Sequence, residues 1–227
     1  MVDMPGRKHP LLTGNIYHIY NKTIERRAVF VGEYCDKFIQ TARYYRSSQS
    51  ILRFSNFQKL PETLFSIYEK KVTDKRTFRV IVLAYCLMPT HYHMLIKQIQ
   101  DKGISFFISQ IQNSFTRFYN IKSSRTGPIF LEKFKSKLIV SEEQLKHTSR
   151  YIHLNPFSSG LIKKVPQILK YQYSSLAEYF NSSNKSLSNP NIILSFFAND
   201  KKRYKNFVLN NAEHQKMLEY CKYSNKW

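Results

Sequence analysis

Residues 77–98, TFRVIVLAYCLM followed by PT and HYHMLIKQ, decide how this chain folds. The first run is rich in β-branched and apolar residues, the composition of a central, buried strand. Pro89-Thr90 breaks it and residues 91–98 resume it, so the stretch reads as two strands of a hairpin. Strand side chains alternate faces, so His91 and His93 point the same way, with Cβ atoms about 7 Å apart. Tyr92, Met94 and Ile96 take the other face, where they can bury against helices. Two imidazoles so placed can reach one metal through bonds of about 2 Å, although two histidines on a solvated strand face give the same pattern. The metallohydrolase pattern HxHxDH does not continue, because Leu95 and Ile96 stand where its Asp and His belong.

Working outward, residues 15–23, NIYHIYNKT, alternate apolar and polar and read as a half-buried strand. Residues 32–47 read as a helix with Tyr34, Phe38, Ala42 and Tyr45 on one side. Residues 48–76 have no sustained period and read as a loop with a short helix at 61–70. Apolar residues at 104, 107, 108, 111, 115, 118 and 121 give 102–122 helical spacing. Residues 127–140 start with a turn and form one or two strands or an extended basic segment. Residues 141–155 form a helix capped by Ser141, with Glu142 and Glu143 at its positive end and Pro156 marking its finish. Residues 157–190 are loop-rich, with a linker-like run at 181–189. Residues 190–227 read as a basic helical tail offering Ile193, Phe196, Phe197, Tyr204 and Phe207 for docking. No internal repeat is present. Strand hairpins separated by helices imply an α+β fold with an antiparallel or mixed sheet.

Composition narrows the partners. Thirty-six Lys and Arg against 15 Asp and Glu give a formal charge of +21, spread along the chain, and 33 residues are Phe or Tyr (17 and 16). Lys and Arg on phosphates release condensed counterions and aromatic rings stack on bases, so a nucleic acid is the natural partner. A basic membrane-surface protein would share the charge alone. No stretch approaches the ~20 apolar residues of a membrane span. The segment MVDMPGRKHP lacks the apolar core of a secretion signal, and Cys35, Cys86 and Cys221 are too scattered for a disulfide framework. A cytoplasmic, nucleoid-associated protein is expected.

On the helix before Pro156, Tyr151 and Asn155 are spaced i, i+4 and share a face that His147 extends by a turn. A phenol beside an amide oxygen and two imidazoles suits a nucleophile held next to a metal more than a structural metal site. A free phenol is weakly acidic, with a pKa of about 10, so attack on a phosphodiester needs the phosphate polarised. An ordinary amphipathic helix would also place a tyrosine there, and spacing alone does not single out one of 16 tyrosines.

HIYNKT, AYCLMPTHYHMLIK, SFTRFYNIK, GPIFLEKFKS and RYIHLNPFSSGLI, in that order from about residue 14 to about 180, resemble the single-tyrosine HUH transposases, and more narrowly the REP-associated tyrosine transposase branch. The resemblance implies a ferredoxin-like antiparallel sheet flanked by helices over residues 1–180, with an insert at about 48–76, and a linker and basic helical C-terminal extension over 181–227. It implies that His91, His93 and Asn155 bind a divalent ion, Mg²⁺ or Mn²⁺. Tyr151 would take the 5′-phosphate of single-stranded DNA covalently and free a 3′-OH. Substrates in the family are single strands with hairpin or palindromic elements, and relatives are monomers or homodimers. The chain departs from the family where Leu131-Glu132-Lys133 replaces Gln-Gly-Arg and where NPFSSG replaces NPVRAG, which touches DNA contacts and not the metal or nucleophile positions.

The expected activity is therefore a metal-dependent single-strand DNA endonuclease and strand transferase, with Arg117, Lys133, Lys135, Lys137 and Arg150 as phosphate contacts. The alternative is a domesticated DNA-hairpin binder without turnover. Zinc hydrolysis of a small molecule is disfavoured, since two His and an amide lack the further His or thiolate that zinc usually collects.

Overall fold

A computed structural model of the chain describes residues 10–181, 183 and 185–224. Nine of the ten residues read for a secretion signal (1–9), positions 182 and 184 of the serine–asparagine run, and 225–227 of the tail lie outside the described residues.

Strands β1 (Ile16–Lys22), β2 (Val80–Met88), β3 (His91–Gln98) and β4 (Lys135–Leu138) form one sheet in the order β2-β3-β1-β4. Tyr17 faces Leu138 and Tyr20 faces Lys135 across the antiparallel β1–β4 pair. At one end of the β1–β3 pair the Gly14 N–H donates to the Gln98 carbonyl (2.8 Å), and at the other the Thr23 N–H donates to the Thr90 carbonyl (2.9 Å). That ladder is antiparallel too, and Pro89-Thr90 closes the β2–β3 hairpin in two residues. With helices between the strands, this is the expected α+β antiparallel sheet with the ferredoxin-like strand order. Tyr92, Met94 and Ile96 are fully buried, as is Leu95 between them, so burial along β3 does not alternate.

The described residues fall into two compact units. The first comprises residues up to Ile81, Pro89–His91 and Ile96–Leu138. It holds α1 (Glu33–Tyr45), α2 (Phe54–Phe57), α3 (Glu62–Thr73) and α4 (Gly103–Lys122). Phe30, Phe38, Phe115 and Phe130 bring ring centroids within 5.0–6.4 Å of one another, the mixture of stacked, edge-on and tilted contacts that aromatic cores favour. The segment 48–76 is more ordered than its pattern implies, because Phe54 and Phe57 bury against Tyr44. A 3-10 turn at Lys75–Thr77 delays β2 to Val80, three residues after the expected start.

The second unit comprises Val82–Met88, Tyr92–Leu95 and the chain from Ile139 on. It holds α5 (Glu142–Ser158), α6 (Asn191–Ser195), α7 (Lys201–Leu209) and α8 (Ala212–Ser224). The Ser141 hydroxyl oxygen accepts the Gln144 N–H (3.1 Å) and Glu142 and Glu143 fill the first turn, as expected. The expected finish at Asn155 is corrected, for α5 runs through Pro156 to Ser158. Proline removes only the N–H that would bond the Ile152 carbonyl, and the Ser159 N–H still reaches the Asn155 carbonyl at 3.0 Å, so the helix continues past it. Of the proposed docking residues, Ile193 and Tyr204 are fully buried, and α7 and α8 pack along α5. Among the described residues no helix is long and apolar enough to cross a membrane.

Two of the buried histidines, one in each unit, have lowered pKa values. His18 on β1 sits opposite Lys137, and burial first and that lysine second push its pKa down to about 4. His153 at the centre of α5 is pushed down to about 3 by burial. Each is neutral in the folded protein at neutral pH, whereas an unfolded histidine protonates near pH 6.5. Below that value the unfolded chain binds protons that the fold refuses, so stability present above pH 6.5 is lost as the pH falls towards 4. The loss is on the order of 1 kcal/mol per pH unit for each histidine. Urea unfolding at pH 7.0, 5.5 and 4.5 should show this decline, and His18→Gln should make it shallower. An unchanged slope in the variant would contradict the buried, neutral His18.

Candidate active site

Strand β3 and helix α5 carry the residues singled out by the sequence. His91 and His93 stand two apart on β3, half-buried and buried respectively. The His91 Nδ1 lies 3.0 Å from the Thr90 hydroxyl, which engages that nitrogen. Within the second unit the His93 ring meets the Tyr151 ring edge-on, with centroids 5.6 Å apart. Tyr151 is half-buried, and Asn155 is 7% exposed one turn further along α5.

The Asn155 amide has a fixed orientation. Its Nδ2 donates to the Tyr151 carbonyl at 2.9 Å, so Oδ1 is the atom it turns away from the helix. Gln215 on α8 donates its Nε2 to the same carbonyl (3.1 Å) and to the Ser158 hydroxyl oxygen (3.1 Å). Two side-chain amides thus converge on the backbone of Tyr151. Sequence reasoning missed Gln215, which lies 64 residues away in a segment with no motif.

The helix is anchored from inside as well. His153 Nδ1 is 2.8 Å from the Tyr204 hydroxyl and Nε2 is 2.8 Å from the Ser175 hydroxyl. Tyr204 donates to the Ser149 oxygen (3.1 Å), and Ser149 donates to the Lys146 carbonyl (2.7 Å). Since Tyr204 gives its only proton to Ser149, it accepts from His153 Nδ1–H, and the one Ser175 proton is shared between Nε2 and the Tyr85 carbonyl (3.2 Å). Burial pushes the pKa of Tyr204 well up, so the network is neutral throughout.

A metal would need donors from this set. Among the described residues no three His, Cys, Asp or Glu side chains come together, so a third donor has to be an amide, a backbone group or water. Within the second unit Asn155 fits that role in its chemistry, because its hydrogen bond to the backbone presents a neutral acceptor oxygen.

The basic residues proposed as phosphate contacts divide. Arg117, Lys133, Lys135 and Lys137 are exposed, and Lys135 and Lys137 face Tyr20 and His18 across the β1–β4 pair. Arg150 is placed otherwise. Its guanidinium lies 4.4 Å from the centroid of Phe207 and donates to His147 Nδ1 (2.6 Å), and His147 Nε2 is 2.6 Å from Glu143. With the Asn211 amide turned to offer its oxygen, that oxygen accepts from both guanidinium nitrogens at 3.2 and 3.3 Å. Arg150 and His147 therefore fasten α7 and α8 to α5.

No family model and no curated protein matches the chain. Among solved structures, a REP-associated tyrosine transposase bound to a REP hairpin matches with a TM-score of 0.53 at 13% identity, over 82% of this chain and 93% of that one. A putative transposase from Deinococcus radiodurans R1 aligns over 66% of this chain and 95% of its own, at 16% identity and a TM-score of 0.36. The first likeness is one of fold, and it extends over most of both chains.

Because Arg150 is a fastening residue, Arg150→Ala should lower stability by about 1–2 kcal/mol in urea unfolding through loss of its ring stacking and hydrogen bonds. Arg117→Ala should stay within about 0.5 kcal/mol of wild type. Equal effects would show that the Phe207 stacking contributes nothing.

Proposed function

We propose that the chain is a metal-dependent single-strand DNA endonuclease and strand transferase of the REP-associated tyrosine transposase kind, acting beside hairpin or palindromic elements. The observation that carries the reading is the edge-on meeting of His93 and Tyr151, on a helix whose Asn155 presents an amide oxygen, within a fold shared with a transposase solved on a hairpin.

In this reading the Tyr151 phenol oxygen attacks the phosphorus of a single strand. A bond forms between that oxygen and phosphorus, the bond to the 3′ oxygen of the leaving strand breaks, and the phenol proton departs as the leaving oxygen gains one. The 5′-phosphotyrosine so formed keeps the bond energy, and a 3′-OH can reverse the step to join strands without a nucleotide cofactor. His91, His93 and Asn155 would hold Mg²⁺ or Mn²⁺, which would polarise the phosphate and offset its developing charge. His93 also fixes the Tyr151 ring by packing on it, and Gln215 holds the backbone that carries the ring. Lys135 and Lys137, exposed in register with Tyr20 and His18, offer the strand a basic surface.

Incubation of the full chain with labelled, hairpin-flanked single-stranded DNA and Mn²⁺ or Mg²⁺ tests this directly. A protein–DNA adduct that survives denaturation is expected from wild type and absent from Tyr151→Phe, which should still bind the hairpin. Tight binding with no adduct across several hairpins would favour a DNA-hairpin binder without turnover. An adduct that persists in Tyr151→Phe would move the nucleophile to another tyrosine, Tyr119 on α4 being the first to test.

Lys135→Ala and Lys137→Ala should each weaken binding uniformly across sequences and reduce the slope of log affinity against log salt by about 0.7. An unchanged slope would remove β4 from the DNA-binding surface.

A further inference from the structure

The first unit contains a cavity of about 300 Å³ that the chemistry above does not use, bordered by Tyr45, Ile51, Arg53, Arg79, Phe106 and Gln110. Its floor is built around Arg79. The guanidinium donates to the carbonyls of Ser47 (3.0 Å) and Ser48 (3.1 Å) and to the Ser50 hydroxyl oxygen (3.3 Å), and its carbon lies 4.0 Å from the centroid of Phe106. All of these partners are neutral. Desolvation lowers the arginine's pKa, and among the described residues no carboxylate pairs with it. Arg53, at the start of α2, is exposed at the rim and likewise has no ion pair among the described residues.

The position of Phe106 is also constrained. A Cβ added at Gly103 would come within 2.5 Å of the Arg79 carbonyl oxygen, so only glycine lets the first turn of α4 come this close. One turn on, Phe106 rests one ring face on Arg79 yet remains 42% exposed, and Ile51 beside the cavity is 71% exposed. Gln110 follows one turn later on α4 and brings an amide donor and acceptor to the same space.

A fixed cation without an anion, an aromatic ring with one open face, and an amide around a space of this size match the parts of one nucleotide. Phosphate would be drawn to Arg53 and Arg79, a base has a flat apolar face for Phe106 and Ile51, and its edge carries hydrogen-bonding groups for Gln110. Resting on the single-strand reading above, we infer that this cavity is a second DNA site, which takes one unstacked nucleotide of a single strand. The two positively charged groups bordering it disfavour a neutral metabolite, and the exposed ring and Ile51 distinguish it from a site for bare phosphate.

The test uses the full chain and a 12-nucleotide single strand carrying 5-iododeoxyuridine. Irradiation should crosslink the strand to a peptide containing Phe106 or Tyr45, as mapped by mass spectrometry. In fluorescence anisotropy, Phe106→Ala should weaken binding of the strand roughly 5- to 100-fold, the range found for one stacked base. Arg53→Ala should weaken it and lower its salt dependence. Phe106→Trp, which keeps a ring over Arg79, should retain most of the affinity, separating lost stacking from a damaged fold. The inference is overturned, with the DNA reading intact, if wild type binds the strand while crosslinks map elsewhere and both alanine variants bind like wild type. Equal recovery of binding competition by inorganic phosphate and by dTMP would overturn it too, reducing the cavity to an anion site. Failure of wild type to bind either this strand or any hairpin would sink both readings together.

Discussion

His153 has no solvent exposure, and both of its ring nitrogens are engaged, one by Tyr204 of α7 and one by Ser175. An imidazole buried this completely has to be neutral and has to be satisfied, since an unpaired buried polar atom costs about 1–3 kcal/mol. Those two requirements fix the rotation of α5 about its axis. Residue 153 points to one side, so 151 and 155, two positions before and after it, lie about 200° around the helix and share the opposite face. Tyr151 and Asn155 thus owe their placement to a residue on the other side of the helix. Ser149 extends the same polar chain one turn back, which ties the helix to Tyr204 at two levels.

The distribution of charge follows a different logic. With 36 basic residues the chain cannot neutralise itself with 15 acidic ones, so most cations must either face solvent or find neutral partners. Arg150 and Arg79 take the second course, each laid on a phenylalanine ring and bonded to uncharged acceptors or a histidine. Both positions favour arginine's flat guanidinium over lysine's ammonium, because stacking and several directed N–H groups are used together. Lys135 and Lys137 take the first course on a short strand, where alternation aims them both to one side. His18, facing Lys137, stays uncharged and so avoids adding repulsion to that side.

Much of this was legible in the sequence wherever one local rule dominated. The hairpin at 77–98 showed in β-branched content and a Pro-Thr break, and α5 showed in its serine cap and acidic first turn. The placement of His91 and His93 on one strand showed in the same stretch. What remained hidden depended on contacts between distant residues. The roles of Gln215 and Tyr204 arise from packing 50 or more residues away in sequence, which no spacing rule reaches. Arg150 reads as a DNA contact because arginine beside a motif usually faces solvent, and its structural contacts show only with the arrival of Phe207. The order in 48–76 was obscured for a similar reason, since its aromatic residues bury against α1 and not against one another at a helical period.

Pro156 shows where a sound local rule led to a wrong boundary. Proline usually marks a helix end because it lacks an N–H and crowds the carbonyl four residues back. Here the helix continues, and the carbonyl that loses its N–H partner is that of Ile152. One residue earlier, Asn155 and Gln215 both donate side-chain amides to the Tyr151 carbonyl. That bond fixes the Asn155 amide and leaves its oxygen as the atom not bonded to that carbonyl. An aspartate at 155 would bring a negative oxygen against that same carbonyl, so the preference for a neutral amide follows from the backbone geometry, before any metal is considered.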